Sequence, residues 1–91
     1  MAFTLLGSYP NPFNPTTNIS FALPEEYRVT LKVYNIAGQL VWSYEKYYEA
    51  GTHTITWDGT NESGQTVSSG VYFYRLTAGP YNAVRKLALT K

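Results

Sequence analysis

Residues 29–44 read Val-Thr-Leu-Lys-Val-Tyr-Asn-Ile-Ala-Gly-Gln-Leu-Val-Trp-Ser-Tyr. Apolar and polar residues alternate from Val29 to Val33, which is typical of a strand with one face in a core. A turn follows, in which Gly38 occupies the position that favours a positive φ. The alternation resumes at Leu40. The stretch therefore predicts a β-hairpin.

Further stretches show the same period of two. They span residues 19–23, 52–57, 71–78 and 83–91, and clusters of Gly, Asn, Asp or Pro separate them about every ten residues. Residues 71–78 carry apolar side chains on both faces for much of their length, which indicates a central strand. No stretch has the spacing of an amphipathic helix. The sequence predicts an all-β sandwich or barrel of about seven strands.

The composition limits the classes of function. The chain has 91 residues, no cysteine and a formal net charge of +1, so we expect one domain without disulfides and no field that would attract nucleic acid or anionic lipid. No apolar run is long enough for a membrane span, so we expect no membrane insertion. Nine Tyr, four Phe and two Trp are expected to supply most of the core, because each ring buries a large area.

The sequence offers no catalytic site. Its single histidine, His53, lies in the middle of a predicted strand beside Ile55 and Trp57, and no serine or cysteine nucleophile motif accompanies it. The acidic residues fall in loops or at strand ends, away from any apolar pocket that would raise a carboxyl pKa. We therefore predict no enzymatic activity, no catalytic residue and no cofactor.

Residues 58–65 are expected to form a polar loop. Asp58 and Asn61, together with nearby glycines, superficially resemble an oxygen-rich calcium loop, but the EF-hand position for a bidentate glutamate is Ser69. The alternative is a pair of Asx turns, in which the two side chains accept hydrogen bonds from nearby backbone amides. We favour the turns and predict no metal ligand.

Residues 45–51 break the alternation with charges and a glycine, so we expect a crossing loop or an edge between sheets. Tyr47 and Tyr48 in this segment are candidates for a surface contact. Exposed aromatic rings are one means by which β-sandwich modules hold carbohydrate. An alternative function is therefore a carbohydrate-binding accessory module of a secreted glycoside hydrolase.

The segment Tyr9-Pro10-Asn11-Pro12-Phe13-Asn14-Pro15-Thr16-Thr17-Asn18-Ile19 is rich in proline. Proline fixes its own φ and pushes the residue before it into an extended conformation. We therefore expect a stiff, extended strand at the start of the domain, which is assigned to residues 9–91. Residues 1–8 are interpreted as the remnant of a linker or an artificial chain start.

This segment closely resembles the opening signature of the type A C-terminal sorting domains of type IX (Por) secretion substrates in Bacteroidetes and related phyla. The resemblance continues through residues 29–35, 38–41, 57–64 and 69–76. The ending Lys86-Leu87-Ala88-Leu89-Thr90-Lys91 is similar to the family's terminal strand, which reads basic, apolar, any, apolar, any, lysine. The resemblance implies an immunoglobulin-like antiparallel β-sandwich.

The resemblance also implies a function. In that family the domain stands behind a cargo protein, is recognised by the outer-membrane translocon through its last strands, and is commonly removed by a sortase-like surface peptidase. It thus implies export through the periplasm to the outer cell surface or the medium, with translocon, peptidase and N-terminally attached cargo as partners. Carried over to this chain, recognition falls on Lys86, Leu87, Leu89 and Lys91, and the opening signature on Pro10, Asn11, Pro12, Phe13, Asn14 and Pro15.

Other interpretations stay open. Residues 57–72 are also similar to the immunoglobulin-like domain of flagellar hook-capping proteins, which makes a structural assembly module the main alternative. The proline-rich segment and the lysine-bearing last strand favour sorting. An exposed edge strand would also allow a weak homodimer.

Overall fold

Two antiparallel sheets make up the computed structural model, which describes residues 3–12 and 15–90. The strands are β1 (Thr4–Tyr9), β2 (Thr17–Leu23), β3 (Tyr27–Asn35), β4 (Leu40–Tyr48), β5 (Gly51–Trp57), β6 (Gly70–Ala78) and β7 (Tyr81–Leu89). One sheet has the order β1-β2-β5 and the other β4-β3-β6-β7. In the described part of the chain, no helix is long and apolar enough to cross a membrane.

The predicted hairpin is confirmed. β3 pairs with β4 around a turn in which Gly38 has a φ of 80° and the Asn35 side chain accepts hydrogen bonds from two backbone amides. β6 lies between β3 and β7, as expected of a central strand.

The core lies between the sheets and consists of inward positions on both. Its buried members are Ile19, Phe21, Leu23, Val29, Leu31, Val33, Ile55, Trp57, Tyr72, Tyr74, Leu76, Ala78, Leu87 and Leu89. Most are aliphatic, contrary to the expectation that rings would supply most of the core. Five further rings border the core half-buried, namely Phe3, Tyr27, Trp42, Tyr44 and Tyr48, because they lie on outer strands or near the strand ends.

The start of the chain differs from the predicted linker. Residues 4–9 form β1, which pairs with β2, and Leu5 packs against the core. A register shift between Leu5 and Gly7 interrupts the alternation, and this irregularity hides the strand in the sequence.

In the proline-rich segment, Thr17–Ile19 belong to β2 but residues 10–12 do not continue the predicted extended strand; Phe13 and Asn14 lie outside the described residues. Tyr9 on β1 pairs with Asn18 on β2 in the antiparallel sense, so the chain reverses between them. The peptide bonds Tyr9–Pro10 and Asn11–Pro12 are cis. A fixed proline φ is compatible with turns as well as with strands. The antiparallel pairing of β1 with β2 requires the chain to reverse its direction between the two strands.

Residues 45–51 are mostly strand. β4 continues to Tyr48 and β5 begins at Gly51, so the predicted loop shrinks to a short crossing between the sheets. The alternative prediction of an edge is confirmed, because β4 and β5 are each the outer strand of their sheet.

Candidate recognition site at the last strand

The last strand, β7, forms one edge of the four-stranded sheet. Its period of two places Leu87 and Leu89 against the core, where they are 0% and 4% exposed. Lys86 is exposed, because successive side chains of a strand point to opposite faces. The two leucines therefore anchor β7 while Lys86 faces solvent.

A side chain from the proline-rich segment covers the free edge of β7. Asn11 Nδ2 donates to the carbonyl oxygen of Lys86 at 3.0 Å, and the N–H of Ala88 donates to Asn11 Oδ1 at 3.0 Å. A carboxamide carries a donor and an acceptor side by side, as the backbone of a strand does. Asn11 therefore pairs with β7 as a neighbouring strand would and satisfies two groups of an exposed edge.

A buried hydroxyl holds this segment in place. Thr17 Oγ1 donates to the carbonyl oxygen of Pro10 at 2.8 Å, and Thr17 is fully buried. Since a buried hydroxyl needs a partner, this bond fixes the residue just before Asn11. Pro12 is exposed; Phe13, Asn14 and Lys91 lie outside the described residues.

A third segment meets the first two at Gly59. A Cβ at this position would lie 3.3 Å from the carbonyl oxygen of Pro15 and 3.8 Å from the methyl carbons of Leu89, and the φ of Gly59 is 75°. Both the close approach and the conformation favour glycine. The proline-rich segment, the loop after β5 and the last strand thus meet at one end of the sandwich.

The loop after β5 is built on side-chain turns. Asp58 Oδ1 accepts from the N–H of Thr60 at 3.2 Å. Asn61 Oδ1 accepts from the N–H groups of Ser63 and Gln65, each at 3.0 Å. The predicted Asx turns are confirmed. Within the described ranges, no three His, Asp or Glu side chains gather as ligands of a metal ion would.

The same loop covers the opposite edge of the four-stranded sheet. The N–H and the hydroxyl of Ser43 on β4 both donate to Glu62 Oε1 at 2.8 Å. The N–H of Glu62 in turn donates to the carbonyl oxygen of Val41 at 3.2 Å. One end of β4 is therefore closed by a carboxylate, as β7 is closed by a carboxamide.

Two buried tyrosines of β6 lie on the core side next to β7. Tyr72 donates its hydroxyl to the carbonyl oxygen of Ser68 at 2.6 Å. Burial raises the pKa of Tyr72. Burial also raises the pKa of Tyr74, against smaller opposing effects of Ser8 and Arg85. Both phenols therefore stay neutral at physiological pH. The core side of β6, with which β7 pairs, thus carries no charge at these two positions.

One family matches the chain over most of its length. The model of the FlgD Ig-like domain family matches residues 9–81. The chain belongs to this family. The predicted immunoglobulin-like sandwich and the predicted similarity to hook-capping proteins are thereby confirmed. No curated protein sequence matches the chain.

Three solved structures show the same fold as this chain. Dimeric latent PorU of Porphyromonas gingivalis has a TM-score of 0.81 at 20% identity, over 98% of this chain and 9% of PorU. PorZ, a surface component of the type IX secretion system of the same bacterium, has a TM-score of 0.65 at 22% identity, over 92% of this chain and 11% of PorZ.

The third structure is FlgD of Xanthomonas campestris, a protein of flagellar hook capping. It has a TM-score of 0.67 at 20% identity, over 94% of this chain and 64% of FlgD. The chain thus spans less than two thirds of each of the three proteins. At these sequence identities the comparison establishes a common fold. The predicted resemblance to type IX secretion proteins is thereby confirmed as a likeness of fold.

In this Ig-like domain, Tyr47 and Tyr48 lie on opposite faces of β4. Tyr47 is 56% exposed, with the Arg28 guanidinium 5.7 Å from its ring centroid. Tyr48 is half-buried and meets Phe21 edge to face, with the ring centroids 5.4 Å apart. Adjacent residues of a strand cannot share a face, so the two rings do not form one platform.

Strand pairing also assembles a basic cluster that sequence spacing did not predict. Lys32 lies opposite Arg75, and Lys86 lies diagonally across from Arg75 on the neighbouring strand. All three side chains are exposed. The three residues are far apart in the sequence, so only the register of β3, β6 and β7 could have revealed the cluster.

Proposed function

We propose that this chain is a non-catalytic sorting domain that directs an attached cargo protein through the type IX outer-membrane translocon. The observation that carries the proposal is the pairing of the Asn11 side chain with the backbone of Lys86 and Ala88. This pairing joins the two segments on which the sequence resemblance to sorting domains rests most heavily, residues 9–19 and 86–91. The opening signature and the last strand are thus parts of one surface.

In this proposal the translocon recognises the last strand. Leu87 and Leu89 hold β7 on the core because both are buried, and Lys86 presents its charge from an exposed position. By the sequence resemblance, Lys91 adds a second charge. Removal of the domain by a sortase-like peptidase, and release of the cargo on the outer surface or into the medium, follow from the same resemblance.

The proposal assigns no reaction to the domain. The ring Nε2 of His53 lies 2.7 Å from the carbonyl oxygen of Glu49, so the imidazole contacts a backbone acceptor rather than a nucleophile that it could activate. The role of the fold is to display β7 in a fixed conformation behind the cargo.

Export of a reporter tests the proposal. A fluorescent protein with an N-terminal signal peptide for the inner membrane, fused ahead of residues 3–91, is produced in a bacterium with a working type IX system and in the same strain without the translocon. The same signal peptide and fluorescent protein without residues 3–91 are the control. We expect fluorescence on the cell surface or in the medium only for the fusion, and only in the strain that has the translocon. Retention of the fusion in the periplasm of both strains would show that the domain is not a sorting signal.

The family match supports a second candidate, a structural assembly module comparable to the Ig-like part of FlgD. The matched region ends at residue 81 and so includes only the first residue of β7, whereas the sorting proposal depends on residues 86–91. An assembly module would leave the reporter in the periplasm and would form ordered oligomers with increasing concentration. Sedimentation of the purified fusion distinguishes the two candidates.

A further inference from the structure

A groove crosses the outer face of the three-stranded sheet, on the side away from the core. Its volume is about 480 Å³, which falls within the range of about 300–1,000 Å³ typical of small-molecule sites. Its lining residues come from β1, β2 and β5: Leu6, Gly7, Ser8, Tyr9, Asn18, Ser20 and Thr54. None of these side chains is charged.

A bulge in β1 opens the groove. The register of β1 on β2 shifts between Leu5 and Gly7, which adds Leu6 to the strand and leaves it 57% exposed. Tyr9, which pairs with Asn18, also lines the groove and is 80% exposed. Between them in the sequence, Gly7 has no side chain, and apart from its two chain neighbours no residue lies within 4 Å of where its Cβ would be. The groove is therefore lined by two exposed side chains, those of Leu6 and Tyr9, and by a position without a side chain.

Hydrogen bonds between neighbouring strands fix the floor. The hydroxyls of Ser20 and Thr54 lie 3.0 Å apart, and Thr56 Oγ1 donates to Asn18 Oδ1 at 2.7 Å. Because its oxygen is occupied by Thr56, the Asn18 amide holds its Nδ2 donors in a set orientation. One of the two hydroxyl hydrogens is donated within the Ser20–Thr54 pair, and the other remains available to donate to a ligand. The floor thus presents both donors and acceptors in fixed positions.

These features match the chemistry of a sugar. A pyranose ring has an apolar face of C–H groups that packs on an exposed aromatic ring, and hydroxyls at its rim that both donate and accept hydrogen bonds. The groove lining contains no cationic side chain that would attract an anion and no carboxylate that would favour a metal ion. We propose that this groove binds a neutral glycan, with Tyr9 stacked on a sugar ring and Asn18, Ser20 and Thr54 bonded to its hydroxyls.

The site differs from the aromatic pair that the sequence suggested. Tyr47 lies on the outer face of the other sheet, and the Arg28 guanidinium is positioned 5.7 Å from its ring centroid. Tyr47 is therefore the matched control for Tyr9, since both are exposed strand tyrosines and only Tyr9 borders the groove. Binding in the groove is also independent of the sorting proposal, because its readout does not involve export.

The test is a titration of the ¹⁵N-labelled chain followed by backbone amide shifts. The probes are maltohexaose, cellohexaose and mannohexaose as neutral glycans, and an oligogalacturonate of the same length as an anionic one. We expect at least one neutral probe to shift the amides of residues 6–9, 18–20 and 54, with saturation at or below about 10 mM. The three neutral probes differ in linkage and sugar, so the one that binds identifies the class of polysaccharide.

Variants locate the binding. Tyr9→Ala is expected to weaken binding of that probe about tenfold or more, Tyr9→Phe to retain it within about threefold because the ring remains, and Tyr47→Ala to leave it unchanged. Asn18→Ala tests the floor separately and is expected to weaken binding. The proposal is overturned if no neutral probe shifts the groove amides, if the anionic probe binds equally well, or if Tyr9→Ala binds like the wild type.

Discussion

The two edges of the four-stranded sheet are closed by different chemistry. On β7 the cap is the carboxamide of Asn11, which both donates to and accepts from the strand backbone. On β4 the cap is the carboxylate of Glu62, whose side chain only accepts, from the N–H and the hydroxyl of Ser43. An uncapped edge would be a template for pairing with another chain.

The difference also concerns distance along the chain. Asn11 lies 75 and 77 residues before its partners on β7, whereas Glu62 lies 19 residues from Ser43. The β7 edge is therefore closed only when the two ends of the domain meet. Because the Asn11 cap copies the bonding of a strand, it occupies the same backbone groups that a partner's strand would use.

The largest expected effect concerns how the two edge strands are anchored. Leu87 of β7 is fully buried, whereas Leu40 of β4 is 50% exposed. Leu87→Ala should lower the free energy of unfolding by about 2–5 kcal/mol, because a cavity remains. Leu40→Ala, the matched control, should change it by about 0.5 kcal/mol or less. Urea denaturation measures both, and equal losses would contradict the proposed anchoring of β7.

The next effect tests the cap of β7. Asn11→Ala removes two hydrogen bonds and should cost about 1–2 kcal/mol. The amide of Ala88 should then exchange with solvent about tenfold faster, and the amide of Ser43 should not. Asn11→Asp keeps the acceptor and loses the donor, so its cost should be intermediate. Unchanged protection of Ala88 in Asn11→Ala would show that this side chain does not close the edge.

The cap of β4 should matter less. Glu62→Ala should cost about 0.5–1 kcal/mol, because the bond from the N–H of Glu62 to the carbonyl oxygen of Val41 does not depend on the side chain and still holds the loop against β4. In Glu62→Ala the amide of Ser43 should exchange faster with solvent, and the exchange of the Ala88 amide should not change. This is the reverse of the pattern expected for Asn11→Ala. Glu62→Gln retains an acceptor oxygen and should lie between wild type and Glu62→Ala. If either cap variant deprotects both edges, the two caps are not independent.

The smallest expected effect is a gain in the free energy of unfolding. It concerns the positive charges on β3 and β6, the two inner strands of the sheet. Lys32 and Arg75 are like charges directly across the β3–β6 pair, an arrangement that is destabilising. Lys32→Glu should therefore raise the free energy of unfolding by about 0.2–1 kcal/mol, and Lys32→Gln by about half as much. Melting at low and high salt measures this, since salt screens exposed charges. A gain that persists at high salt would not come from this pair.

Regular alternation made much of the fold predictable from the sequence. The β3–β4 hairpin, the central position of β6 and the Asx turns at Asp58 and Asn61 follow from local patterns, because side-chain direction and turn chemistry depend on near neighbours. β1 was missed because its bulge breaks the period of two. The proline-rich segment was misjudged because the fixed φ of proline does not determine the direction of the chain.

The candidate site was predictable only in its parts. The resemblance pointed to Asn11 and to the last strand separately, but their contact depends on how β1, β2 and β7 are arranged in space. The same is true of the Lys32–Arg75 pair, which exists only in the register of β3 and β6. For Tyr48 the sequence suggested a surface contact. Because β4 continues to this residue, its ring instead packs against the core.

The most direct test of the central claim, that the sorting machinery recognises the last strand, is export of the reporter fusion carrying Lys86→Ala together with Lys91→Ala. The matched control carries Arg28→Ala together with Lys46→Ala, two exposed cationic residues of β3 and β4 that lie outside the basic cluster of Lys32, Arg75 and Lys86. We expect both variants to melt near the wild-type temperature, since surface changes of this kind alter stability little. We expect export to be lost only in the first variant. Undiminished export of the Lys86→Ala, Lys91→Ala fusion, or equal loss in both, would contradict the claim.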